Sequence, residues 1–341
     1  MIFLHIGLPK CGSTSIENFL ATNTDALKSF GYIYPLEGRA GISHRGLVRE
    51  LGRGSAGTGD ASAWSRIVQM DDAETKIVLS CEGFSHLDQA AVMRLRDLYM
   101  CKPLKILMYI RPYSEVIVST YKQRTKNGRS LLNFDEFFER VHGTRLCFSW
   151  PVEQWGSVFG FENVHVRAIE PGGLIDDDLL TDFLIQIGVN SADLSQMVIL
   201  NTRRRNISPG WKVTEFLRFL YGRQFSSTSR RGRVPKYMQR NVGLKTLSSL
   251  QAISNDVVSG EAGEYLTLEQ RKKCDDAYLE WLGRIEALTG RPVRRLPSHG
   301  RAVGERRFLP DVAMLTELER DALMNTVRRY SSDAALIGDR T

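Results

Sequence analysis

The opening of the chain constrains its fold more than any other segment. Ile2-Phe3-Leu4-His5-Ile6-Gly7 is an apolar run of strand length. It leads at once into Pro9-Lys10-Cys11-Gly12-Ser13-Thr14-Ser15, after which Ile16, Phe19 and Leu20 recur at helical spacing. A strand, a glycine-bearing turn and a helix start in that order place the free N–H groups and the positive end of a helix at the edge of a buried strand. Phosphate groups bind at such junctions. Gly12 allows the backbone close to an oxygen, the three hydroxyls of Ser13, Thr14 and Ser15 donate, and Lys10 adds a full positive charge.

The same alternation continues downstream. Lys76–Cys81, Leu104–Ile110 and Val164–Ala168 read as further strands, while Leu87–Met100 and Leu179–Ile187 read as helices. Near-continuous apolar strands separated by helices predict a parallel sheet covered on both faces. The fold class expected is α/β: a P-loop-like three-layer arrangement with a central parallel sheet flanked by helices and a mainly helical C-terminal part. Glu37–Gly59 is rich in glycine and basic residues and reads as a long irregular connection. Val312–Tyr330 reads as an amphipathic helix. The domain expected to carry function spans residues 1–295, followed by a helical extension over 296–341.

With 341 residues, 42% hydrophobic and 25% charged, the chain has the composition of an ordinary globular protein. No run approaches the ~18 apolar residues of a membrane-spanning helix. The first residues enter a strand without a basic leader, so the expected address is cytoplasmic. The five cysteines (Cys11, Cys81, Cys101, Cys147 and Cys274) are scattered and form no C-x-x-C pair, which argues against a disulfide framework and against a zinc site. The net charge of +7 is concentrated: residues 203–240 hold eleven Lys and Arg against the single acid Glu215, and the remainder of the chain is slightly negative. One cationic region of this kind steers an anionic ligand.

Spacing separates two phosphate chemistries. A Walker A loop places its lysine directly after the second glycine. Here Gly7 and Gly12 have the Walker separation, but Ser13 stands at the lysine position and the lysine lies ahead, at Lys10. Lys10-Cys11-Gly12-Ser13-Thr14 instead resembles the 5′-phosphosulfate loop of sulfotransferases that use 3′-phosphoadenosine 5′-phosphosulfate (PAPS). Ile110-Arg111-Pro112 and the following residues through Tyr121 are similar to that family's second signature, in which an arginine at a strand end and a serine eight residues on contact the 3′-phosphate; Arg111 and Ser119 have this separation. Trp155 through Arg167, Asp182-Phe183-Leu184 and Arg205-Asn206-Ile207-Ser208 resemble bacterial members acting on carbohydrates.

The resemblance implies PAPS as co-substrate, no metal, and a carbohydrate or glycolipid hydroxyl as acceptor. It implies that Lys10, Cys11, Gly12, Ser13, Thr14 and Ser15 hold the phosphosulfate, Arg111 and Ser119 the 3′-phosphate, and that Arg230-Arg231-Gly232 form a late basic loop over the latter. Lys10 is also the residue that neutralises the leaving group. Glu82, directly after the second long strand, resembles the glutamate base of heparan-type enzymes, though Gly83 follows it where those enzymes have lysine. His44 is the alternative base, and His86 is placed to orient Glu82. Lys122, Arg124 and Lys126 are candidates for an anionic acceptor, and Trp155 and Trp211 for stacking on a ring. Two other classes stand beside this one. A P-loop nucleotide kinase or phosphotransferase is opposed by the displaced lysine. A nucleic-acid binder using residues 203–240 is opposed by the absence of any recognition module.

Overall fold

The computed structural model describes residues 1–56, 62–70, 75–99, 103–144, 148–190, 193, 209–225, 265–293 and 310–330. The chain divides into two compact units. The first comprises Met1–Pro112, Cys147–Thr202 and Ala277–His299; the second comprises Tyr113–Leu146, Arg203–Asp276 and Gly300–Thr341.

The first unit is built on a sheet of five parallel strands in the order β2-β3-β1-β4-β5. In chain order its leading elements are β1 (Ile2–Ile6), α1 (Ser13–Thr22), α2 (Thr24–Ser29), β2 (Tyr32–Ile33), α3 (Arg45–Arg53), α4 (Ala63–Met70), β3 (Lys76–Cys81) and α5 (Gln89–Leu98). They are followed by β4 (Leu104–Ile110), β5 (Val164–Ala168) and the helices Ser149–Phe159 and Leu179–Gln186. Helices flank the sheet, so the architecture is the α/β fold that the alternation of apolar runs predicts. Every residue of β1 is buried because β1 lies at the centre, hydrogen-bonded to β3 on one side and β4 on the other. Apolar side chains on both faces of such a strand have no solvent to reach, which is why its sequence does not alternate.

Register decides where the site falls. Ile6 pairs with Cys81, and His5 with Leu107. The residues that leave β1, β3 and β4 therefore emerge side by side at one edge of the sheet, about 4.8 Å apart from strand to strand. In open α/β sheets ligands bind outside this carboxyl edge, where neighbouring connections diverge.

Two local features differ from the sequence reading. Tyr32–Ile33 is a two-residue strand, too short for its periodicity to be seen, and it is fixed by pairing with β3. Part of the expected irregular connection is the helix α3, whose buried residues Leu47 and Leu51 stand at i, i+4. The loop ahead of α3 is tied by Gly46 N–H to Gly38 O at 2.8 Å and Ala40 N–H to Ser43 O at 2.8 Å.

In the second unit the helices Tyr113–Lys126, Phe134–Val141, Trp211–Phe225 and Glu317–Tyr330 carry the described structure. Its core gathers Val213, Phe216, Leu217, Leu220 and Tyr221 with Leu315, Leu323 and Val327. Within it Glu215 is fully buried and accepts from Tyr121 Oη at 2.8 Å, Tyr265 Oη at 3.2 Å and Arg218 Nε at 2.6 Å. Such a carboxylate is tolerated because each partner donates to it.

Candidate active site

The turn after β1 is shaped by two left-handed residues. Lys10 has φ 66° and Gly12 φ 79°. For lysine this backbone costs about 1 kcal/mol, and such conformations persist where the surroundings impose them. Gly12 is the N-cap of α1 and supplies no side-chain cap; the first turn contains no acidic residue. No acidic side chain of the helix's own first turn therefore neutralises its positive end. Thr14 and Ser15 are exposed on that turn, and Lys10 is half-buried. Cys11 points inward: it is buried, its N–H donates to Leu8 O at 3.3 Å and its Sγ to Pro9 O at 3.5 Å.

The loop is wedged against the end of β3. Gly7 has no room for a side chain, because a Cβ there would lie 2.7 Å from Ser13 Cβ and 3.2 Å from Glu82 Cα. Gly7 N–H donates to Cys81 O at 3.4 Å, and Ser13 Oγ to Glu82 Oε2 at 3.4 Å. Glu82 itself is exposed, at the start of a short 3-10 turn, Glu82–His86. It is not the cap of α5, since Asp88 fills that role and accepts from Ala91 N–H at 2.8 Å. His86 is exposed at the end of the turn, and among the described residues no hydrogen bond joins it to Glu82. Arg111 follows Ile110 at the end of β4 and is half-buried. Lys10, Glu82 and Arg111 therefore leave three adjacent strands at the same edge of the first unit.

Glu17 escaped the sequence reading. It lies on α1 with Ser13, Ile16, Phe19 and Leu20 on the buried face and is only 5% exposed. The Glu82 main-chain N–H donates to it, and burial pushes its carboxyl up to about 7, with the Glu82 carboxylate adding to the rise and Arg45 opposing it. The signal was present in the sequence: an acid standing four residues after Ser13, inside an otherwise apolar stripe.

His44 is placed differently from Glu82. It is fully buried, its Nε2 bonds Pro35 O at 3.0 Å, and its Nδ1 accepts from Ser80 N–H at 3.2 Å. Both ring nitrogens are thus spent on main chain, and burial lowers its pKa to about 4. His5 is likewise a core residue: it bonds Ser80 Oγ at 2.7 Å, and its burial lowers its pKa to about 3. Trp155 is fully buried and stacks on Phe159 at 5.8 Å.

Ser119, Lys122, Arg124, Lys126 and Trp211 belong to the second unit. Ser119 is half-buried on the helix Tyr113–Lys126. Lys122 is buried with its Nζ 5.6 Å from the Tyr265 ring, and Arg124 lies 5.6 Å from the Phe137 ring. Lys212 Nζ stands 5.8 Å from the Trp211 ring. Arg230, Arg231 and Gly232 lie outside the described residues, as do Arg205-Asn206-Ile207-Ser208. Among the described residues no cluster of His, Cys, Asp or Glu has the make-up of a metal site, and no helix is long and apolar enough to cross a membrane.

No protein-family model matches the chain, and no curated protein matches it. Solved structures do. A sulfotransferase from Alicyclobacillus acidocaldarius is 13% identical with a TM-score of 0.39, over 85% of this chain and 95% of that one. The mouse sulfotransferase SULT7A1, solved in complex with PAP, is 15% identical with a TM-score of 0.40, over 85% of this chain and 88% of that one.

Proposed function

We propose that this chain is a sulfotransferase that takes its sulfuryl group from PAPS and delivers it to a hydroxyl of a carbohydrate or glycolipid, without a metal. The observation that carries the reading is the packing of the β1 loop against the end of β3, which sets Ser13 Oγ 3.4 Å from Glu82 Oε2. A phosphate-binding helix start and an exposed carboxylate thus share one small space. The loop fits an anionic donor: its helix start has no acid of its own, and Lys10, Thr14 and Ser15 stand around it.

In this reading the N–H groups and hydroxyls at Gly12, Ser13, Thr14 and Ser15 hold the 5′-phosphosulfate. Arg111 takes the 3′-phosphate through the parallel hydrogen bonds that a guanidinium offers. Ser119 joins it on the strength of their sequence spacing, and Arg230, Arg231 and Gly232 are assigned to the same phosphate from their sequence. When bound, PAPS supplies an activated sulfuryl group. The acceptor oxygen forms the new O–S bond while the bridging S–O bond to the 5′-phosphate breaks. Glu82 receives the hydroxyl proton. Lys10 neutralises the charge left on the departing phosphate, an effect that dominates many transfer reactions. His44 does not compete for the proton, because neither ring nitrogen is available.

The test separates the reading from a nucleotide kinase. Adenosine 3′,5′-bisphosphate (PAP) without Mg²⁺ should raise the melting temperature, and Mg·ATP should not; stabilisation by Mg·ATP alone refutes the proposal. With ³⁵S-labelled PAPS and a panel of carbohydrate and glycolipid acceptors, Glu82→Gln should lower transfer by ~10²–10⁴-fold while PAP still binds. Near-full transfer by that variant removes Glu82 from the mechanism.

A further inference from the structure

Glu17 has no part in the reaction as described, yet it lies directly behind it. It sits one turn into α1 from Ser13 and is 5% exposed. The groups that face it come from three further elements: the Glu82 N–H and carboxylate and Cys81 at the end of β3, Arg45 at the start of α3, and Tyr34 just after β2. Tyr34 is held by its own bond to Ile42 O at 2.7 Å and by the Arg39 guanidinium 5.3 Å from its ring. Glu17 is therefore a second carboxyl beside Glu82, one turn along α1 from the helix start at which the proposed donor binds.

We propose that Glu17 is a positioning residue for the donor site: its buried carboxyl receives the Glu82 N–H, holds Glu82 against Ser13, and by losing its proton adds a negative charge beneath the bound phosphosulfate. This inference rests on the reading of the β1 loop as a donor site.

Two carboxyls that share one space do not both ionise easily, and the buried one keeps its proton longer. While it keeps its proton, Glu17 leaves the loop attractive to an anion. Burial pushes Glu17 to about 7, so its ionisation falls within the working pH range. Once ionised, Glu17 repels the donor phosphates.

The test compares the full-length protein with its Glu17→Gln variant, an isostere that still accepts the Glu82 N–H. With ¹³C-carboxyl-labelled glutamate, one wild-type resonance should titrate near pH 7, be absent in Glu17→Gln, and move to higher pH when PAP saturates the protein. PAP affinity, measured by calorimetry from pH 5.5 to 8.5, should weaken in the wild type relative to Glu17→Gln as pH rises through 7, by on the order of tenfold. The comparison cancels the titration of PAP's own phosphates. The inference is overturned if no glutamate titrates between pH 6 and 8, if that titration persists in Glu17→Gln, or if both proteins show the same PAP profile. Should the variant fail to fold, the wild-type resonance and its movement on PAP binding decide alone. If PAP binds neither protein while the titration near 7 is present, the donor reading fails and the Glu17–Glu82 coupling stands.

Discussion

Replacing Gly7 by alanine probes the juxtaposition on which the proposed function depends. The added Cβ would stand 2.7 Å from Ser13 Cβ and 3.2 Å from Glu82 Cα, where ordinary contact begins at 3.4 Å. Ser13 must therefore retreat by about 0.7 Å and the Glu82 backbone by about 0.2 Å. Neither is the tip of a flexible side chain: one is the first residue of α1 and the other follows the buried strand β3. Overpacking of this kind costs about 1–3 kcal/mol. For a chain of this size that is a fall of several degrees in melting temperature. The functional effect is the sharper one, since a displacement approaching 1 Å in a positioned group costs ~10²-fold in rate. Gly7→Ala should fold, melt several degrees lower, bind PAP at least tenfold more weakly and lose most sulfuryl transfer. Gly52→Ala is the control. Gly52 lies within α3 with nothing within 4 Å of its added Cβ, so alanine there should stabilise by about 0.5–1 kcal/mol and leave PAP affinity unchanged. A Gly7→Ala protein with wild-type melting and wild-type PAP affinity would refute the argument that the loop and Glu82 are wedged together.

Asp182 is fully buried and accepts from Tyr109 Oη at 2.8 Å, Arg167 Nε at 3.1 Å and Ile175 N–H at 3.0 Å; Asp182→Ala should cost about 3–5 kcal/mol in urea unfolding by stranding these donors, and a loss below 1 kcal/mol would contradict it. Stability should also depend on pH with opposing signs. His5 and His44 have folded pKa values lowered to about 3 and about 4 from 6.5, so their contribution is complete above pH 6.5 and is lost as pH falls through that window. Glu17 is raised from 4.5 to about 7, so its contribution is present below 4.5 and is lost as pH rises toward 7. Between pH 6.5 and 4.5 the two trends partly cancel, and Glu17→Gln should make the fall in urea midpoint on acidification steeper than in the wild type; an unchanged slope would show that Glu17 does not titrate there.

Local chemistry is what made much of this protein legible from its residues. The runs Lys76–Cys81, Leu104–Ile110 and Val164–Ala168 are strands over the bounds the sequence indicates; in the first two, burial on both faces leaves a nearly uninterrupted hydrophobic signature, whereas Val164–Ala168 lies at the sheet edge with His165, Val166 and Arg167 half-buried. The β1 loop was equally readable, since Gly12 and the hydroxyls that follow it are neighbours in the chain. Tyr32–Ile33 was not readable, because two residues hold no period and only β3 makes them a strand. The helix α3 was obscured by the glycines around it. At the site, the chain's order alone left Glu82 and His44 as rival bases. Tertiary structure distinguishes their surroundings through contacts between residues far apart in sequence: Ser13 with Glu82, and His44 with Pro35 and Ser80. Glu17 shows the same division. Its place on the buried face of α1 follows from helical spacing, but its partner Glu82 and its raised proton affinity come from β3 and the loops folding over it. The sequence thus determined that a glycine-bearing turn carries a buried strand into a helix start over residues 7–13; which carboxyls stand beside that turn was decided by strand order and register, which bring distant residues to one edge of the sheet.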